Sequence, residues 1–224
     1  MGQLTGLSNG RTAARKKFLR FFPKGFADAK YMHWERDYKW EAHLHWQTSL
    51  NQAAYRQLLS QGKYQEIAGH AVKMETRTNL LFSFEKMALR DAVKTEAGAR
   101  AFAEGLYQYV YGPAAPQERF EQFAGVVAAL PRRQTRVLTW PLLTVFGFLA
   151  RPDTHIFLKP RVTQTAASAY GFPFAYTSEP NWQTYQSLLD FAGQIRQDMA
   201  DHQPRDFIDL QSFIWVCGSA EYDG

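Results

Sequence analysis

Apolar residues in this chain recur at helical spacing, and no run alternates apolar with polar for more than a few positions. That pattern excludes most sheet architectures. No Asn-Gly turn joins two alternating runs, and neither an internal repeat nor a low-complexity tract is present. A strong helix is predicted over Thr76 to Val93, with Leu80, Leu81, Phe84, Met87, Ala88 and Ala92 as its apolar stripe. Thr95 is placed to cap a helix ending near Gly112-Pro113, and another runs over 116–130 to Pro131. Thr139 opens a short apolar helix, Trp140 to Ala150, with Pro141 in its first turn. Further helices are expected over 160–170, over 180–201 after Ser178, and over 205–217 after Pro204, with Asp206 as a cap. Residues 49–73 read as one or two short helices broken at Gly62. The fold class is therefore mostly α, a compact multi-helix array rather than a heptad coil.

The 224 residues suit one domain or a domain with a small extension, and 46% apolar content is enough for a sizeable core. The division expected is a basic, aromatic-rich extension over 1–75, packed on a core over 76–224. A net charge of +5 and a pI near 9.3 favour an anionic partner over mere solubility. Cys217 is the only cysteine, which excludes an intrachain disulfide and a four-cysteine cluster. The polar N-terminus shows no secretory signal, and the longest apolar run, Trp140 to Ala150, is too short for a bilayer. A reducing, cytoplasmic location and no membrane are the expectation.

Residues 1–24 carry Arg11, Arg15, Lys16, Lys17, Arg20 and Lys24 without an acidic residue. They are either an arm for phosphate or an ordinarily charged terminus. Trp34, Tyr38 and Trp46 are spaced by four and eight and share a helical face, more often core than platform. His43 and His45, two apart, point away from each other on a helix, so no metal pair is expected there.

The stretch Leu130 to Phe157, LPRRQTRVLTWPLLTVFGFLARPDTHIF, holds most of the chemistry. Asp153 follows Pro152 and falls at a helix N-terminus, where the dipole favours its ionised form, or in a tight turn. Arg132, Arg133 and Arg136 sit in the turn before the apolar helix, as phosphate contacts or as solvated surface. Lys159 and Arg161 follow closely. A plain N-cap is the alternative role for Asp153.

These residues resemble the core of the helix-hairpin-helix DNA glycosylases of the endonuclease III type. Leu130-Pro131 and Phe146-Gly147 keep that family's mutual spacing, and Asp153 to Phe157 match its Asp-Thr-His-Ile-Phe, with one residue fewer before the aspartate. Asp209 to Gly218 looks like the family's last conserved helix, and the helix at 79–93 is similar to its long buried helix. The likeness spans roughly 76–218, and only 130–157 is specific.

The resemblance implies a protein that grips DNA by its phosphates, extrudes a base into a pocket and places a carboxylate, Asp153, beside the charge that develops on the sugar. Three departures qualify it. The hairpin glycines are replaced by Arg132, Arg133 and Gln134, so side chains must make the phosphate contact. Arg136 stands where some members carry a strand-nicking lysine, and an arginine does not readily form a Schiff base. The cluster cysteines are missing. A monofunctional enzyme that leaves an abasic site is implied, without a cofactor or metal, with Lys159 as a second catalytic candidate able to approach the sugar from the other side.

Lys86 and Arg90 join the expected DNA contacts, Arg90 near where family members insert wedge residues. Glu85, in an otherwise apolar helix, is either a partly buried carboxylate that reads a base or a surface group at the stripe's edge. Trp34, Tyr38 and Trp140 are the candidate stacking aromatics, Trp140 the best placed.

Two functions compete. One is a glycosylase acting as a monomer on double-stranded DNA with a modified base, for instance glucosylated hydroxymethylcytosine in defence against phage. The other is a non-catalytic module that binds modified DNA within a restriction or defence system.

Overall fold

Helix starts in this chain are set by side chains that accept hydrogen bonds from otherwise unpaired backbone N–H groups. The computed structural model describes residues 9–131 and 136–223. Helix α1 (Asn9–Phe21) leads through a 3-10 turn to α2 (Ala29–Tyr31), a π-helical turn (Met32–Arg36) and α3 (Asp37–Ser49). Asn51 caps α4 (Gln52–Ser60), Gly62 breaks the chain at φ +66°, and α5 (Tyr64–Glu75) follows.

Helix α6 (Ser83–Ala92) precedes α7 (Glu96–Tyr111), whose Thr95 hydroxyl accepts from Gly98 N at 3.1 Å. Helix α8 (Pro116–Ala129) ends before Pro131, and Thr139 caps α9 (Trp140–Ala150). Helix α10 (Pro160–Tyr170) closes on Gly171 in the left-handed region, Asn181 caps α11 (Trp182–Asp198), and Asp206 caps α12 (Phe207–Gly218). No strand occurs among the described residues, and no helix among them is long and apolar enough to cross a membrane.

One continuous apolar core runs from Ala14 to Tyr222 and takes in residues on both sides of position 75. Helices α10 and α12 pack tightly because Gly218 presents no Cβ, which would lie 2.1 Å from Val162 O. Helix α9 is buried along its whole length and threads the middle of the array. Helix α1 is no free arm: Phe18 and Phe22 are buried against Tyr31 and Phe213. Each such phenyl group contributes about 1.5–3 kcal/mol of burial. Its basic residues are partly spent on ion pairs, Arg15 with Asp201 and Lys17 with Asp223.

A buried charge cluster locks the segment after α2 to the last helix. Arg36 pairs with Asp206 at 2.7 Å and with Asp209 at 2.8 Å, and Arg205 meets Asp209 at 2.8 Å. Tyr31 donates its hydroxyl to the same carboxylate at 2.6 Å. Burial opposes the charge on Asp209, yet the hydrogen bond from Arg205 and the charge of Arg36 outweigh it and hold its pKa low.

Two expectations fail locally. The helix expected from Thr76 begins only at Ser83, after turns at 76–82. Its buried side is Glu85, Ala88, Leu89 and Ala92, whereas Phe84 and Met87 are 51% and 63% exposed. The later start arises because Glu85 reaches back to the Phe82 N–H at 3.0 Å and fixes the first turn there. The second failure concerns Trp34, Tyr38 and Trp46. The π-turn widens the helix by a residue, so Trp46 enters the core and Trp34 stands 51% exposed.

The segment Asp153 to Phe157 dives inward from an exposed turn. Ile156 N donates to the Tyr185 hydroxyl at 3.1 Å and Leu158 N to Thr144 Oγ1 at 3.0 Å. His155 is buried beside Tyr109 and Gly147, and neither ring nitrogen has a hydrogen-bond partner among the described residues. Burial first, then the charges of Arg119 and Arg151, push its pKa down to about 3. The unfolded chain, with an ordinary imidazole near 6.5, therefore binds the extra proton between those values. Stability should be full above pH 6.5 and fall as pH drops toward 3, by at most about 1.4 kcal/mol per unit from this group. Denaturant midpoints of His155→Phe, followed against pH, should show a shallower acid limb than wild type. An unchanged limb would mean that the imidazole is not held neutral.

Candidate functional site

A cavity of about 1000 Å³ opens where the π-turn, the loop before α6, the N-terminus of α9 and the start of α10 converge. Its size is at the upper end of the roughly 300–1,000 Å³ usual for ligand pockets. Trp34, Tyr38 and Trp140 all line it, with Glu85, Lys159, Arg136 and Arg161. Seven of the twelve residues selected from sequence thus meet in one place, drawn from segments up to 127 positions apart, from Trp34 to Arg161.

Lys159 is the residue with the most distinctive surroundings. It is half-buried at the residue before α10, donates to Leu80 O at 2.8 Å, and holds its ammonium 3.6 Å from the centre of the Phe82 ring. Burial lowers its pKa, while the carboxylates Glu85 and Glu75 oppose the drop.

Glu85 is fixed from two sides. One oxygen accepts from Phe82 N, the other from the Thr139 hydroxyl at 2.8 Å, so this carboxylate joins the α6 start to the α9 start. Sequence reasoning left open whether Glu85 was buried or at the surface; it is 3% exposed. Trp140 is buried in the wall, and its indole N–H donates to Thr177 O at 2.9 Å. Tyr38 is half-buried, and burial raises the pKa of its phenol.

The charge of the lining favours an anion. Among the described lining residues Lys39, Arg77, Arg136, Lys159 and Arg161 outnumber Glu35, Glu85 and Glu221. Arg77, Arg136 and Arg161 are exposed, which leaves three guanidinium groups available to phosphate.

The other selected residues lie elsewhere. Asp153 is in an exposed turn after the far end of α9, its side chain 63% exposed and paired with Arg151 at 3.1 Å. It caps no helix, and it does not line the cavity, which meets α9 at the opposite end, about 15 Å away along the helix. Lys86 is turned into the protein, against Glu75 at 3.3 Å and Thr78 O at 3.3 Å. Burial raises the Glu75 pKa, and Lys86 counters that rise. Arg90 is exposed on α6 and does not line the cavity. Arg132 and Arg133 lie outside the described residues.

Sequence reasoning missed Glu35, Lys39, Phe82 and Arg77 as cavity residues. Glu35 and Lys39 carried a usable signal, since an i,i+4 carboxylate–lysine pair in an aromatic-rich helix is consistent with a buried pair. Arg77 carried none, because its place depends on the turn that replaces the expected helix start.

The coupling of Lys159 to Glu85 is testable in solution. Because the carboxylate favours the ammonium, Glu85→Gln should move the Lys159 pKa further down. NMR titration of ¹³C-methylated lysines should show one resonance titrating below the rest, shifted lower still in that variant. A Lys159 signal that titrates with the surface lysines would contradict the geometry.

No family model, no curated protein and no solved structure matches this chain.

Proposed function

We propose that the cavity receives a modified base extruded from DNA and that the chain cleaves the N-glycosidic bond of that nucleotide. The observation that carries this reading is the meeting of Lys159 and Glu85 inside an aromatic-walled cavity edged by exposed arginines. A flipped base needs flat apolar walls, which Trp34, Tyr38 and Trp140 supply. The flanking phosphates need cations at the mouth, which Arg77, Arg136 and Arg161 supply.

Departure of the base leaves positive charge on the deoxyribose. A carboxylate held rigid by two hydrogen bonds, as Glu85 is, costs no reorganisation when that charge forms. Lys159, whose charged form burial disfavours, is suited to act as a general base. Its amine takes a proton from a water that bonds to the sugar carbon as the bond to the base breaks. The base leaves with that bond's electron pair and takes up a proton from the ammonium so formed, leaving an abasic site. In this reading the reacting groups are Glu85 and Lys159, and Asp153 is not needed at the bond.

One observation favours the alternative, a module that binds modified DNA without cutting it: Asp153, the aspartate that the glycosylase resemblance makes catalytic, sits in an exposed turn away from the cavity.

A panel of duplexes with modified bases, assayed by mass detection of freed base, separates the two. Wild type should release a base from at least one member. Lys159→Met should slow release by about 100-fold or more, within the range usual for a lost acid–base group. Asp153→Asn should stay within about threefold of wild type. Loss of release in Asp153→Asn with retention in Lys159→Met would overturn the assignment. Binding without release by wild type would establish the alternative.

A further inference from the structure

A second group of bonded residues lines the same cavity and is not used by the chemistry above. Lys39, 1% exposed, donates to Ser212 Oγ at 2.8 Å and approaches Glu35 at 3.3 Å. The other oxygen of Glu35 takes the Tyr222 hydroxyl. Gln211 stands beside Ser212 on α12, lines the cavity and is 3% exposed, yet its side-chain oxygen has no hydrogen-bond partner among the described residues. A buried amide in that state lowers stability. Lys39 and Tyr222 direct their hydrogen bonds to Ser212 and Glu35 and not to this oxygen. The natural complement of the group is a donor on a ligand.

The chemistry of that donor is narrow. Although cations outnumber carboxylates over the whole lining, an anion at this amide is disfavoured by the carbonyl oxygen of Gln211 and by the carboxylate of Glu35, which shares Lys39 with the adjacent Ser212. A cation is disfavoured by the buried ammonium of Lys39. A neutral hydroxyl fits, since it donates to the amide oxygen and accepts from the amide nitrogen. Trp34, Tyr38 and Trp215 add aromatic faces to the wall, against which the C–H face of a saturated ring packs. The cavity is also larger than a flat heterocycle alone fills.

We infer that Gln211, with Trp34 and Tyr38, forms a subsite for a neutral, polyhydroxylated substituent carried on the extruded base, a glycosyl group being the class that fits. The inference rests on the base-excision reading and adds the feature that selects the substrate.

The test uses full-length protein and matched duplexes carrying 5-hydroxymethylcytosine, with or without glucose on the hydroxymethyl group. Binding is read by fluorescence anisotropy and release by mass detection. In parallel, methyl glucoside is titrated against tryptophan fluorescence, which Trp34 and Trp215 report. Wild type should prefer the glucosylated duplex by about tenfold or more, the equivalent of one well-formed hydrogen bond to the amide. Gln211→Leu should bring that ratio close to one, and Trp34→Ala, a change at an exposed side chain, should reduce it if the first variant folds poorly.

Equal treatment of the two duplexes by a wild type that does release base overturns the subsite and leaves the excision reading standing. A preference that survives both variants overturns the assignment of residues. Quenching by methyl glucoside that Gln211→Leu abolishes, with no base release from any duplex, supports the subsite and sinks the excision reading.

Discussion

The cavity depends on Arg36 reaching two aspartates of the last helix. Arg36 belongs to the π-turn that also carries Trp34 and Glu35, with Tyr38 and Lys39 just beyond it. Its bonds to Asp206 and Asp209 fix that turn against α12, and hence set Trp34, Tyr38 and Lys39 opposite Gln211 and Trp215. Such a pair adds little to stability over an apolar contact, but breaking one costs about 3–5 kcal/mol. Its value here is registration. Asp209 is also held by Arg205 and Tyr31, so the carboxylate has only one way to sit. The N-terminal segment therefore contributes part of the cavity wall.

On the other side of the cavity a single carboxylate does similar work. Glu85 bonds to the start of its own helix and to Thr139 ahead of α9, which brings the loop carrying Leu80 and Phe82 over Lys159. A group with this structural role is already oriented and dehydrated, and both properties suit it to the electrostatic role proposed for it. The structural role of Glu85 is compatible with the proposed chemical one, since both draw on the same two hydrogen bonds.

Much of the fold was legible because caps and breakers are local. Thr95, Thr139, Pro131, Gly62 and Asp206 act within one turn, and the elements they bound fall within a few residues of where periodicity places them. The start of α6 was not legible. The apolar run Leu80, Leu81, Phe84, Met87 has helical spacing, but the reach of Glu85 to Phe82 decides the first turn, and two of those residues end up in solvent. Trp34 and Tyr38 were selected as aromatics, yet a π-turn, which leaves no plain mark in sequence, decides that they face a cavity. The motif around Asp153 shows the opposite limit. Its letters resemble a catalytic segment, whereas its inward half, His155 to Phe157, serves packing and its aspartate stands in an exposed turn. Gln211 carries no mark in the sequence beyond being a polar residue in a largely apolar helix, and its position becomes meaningful only beside the cavity.

The most direct measurement is a crystal structure of the protein with a duplex whose modified nucleotide carries a 2′-fluoro group, which slows departure of the base. The account predicts the base turned out of the duplex and lying among Trp34, Tyr38 and Trp140, with its sugar carbon within reach of Lys159 and Glu85. A base still stacked in the helix, or seated beside Asp153 at the far end of α9, would contradict it.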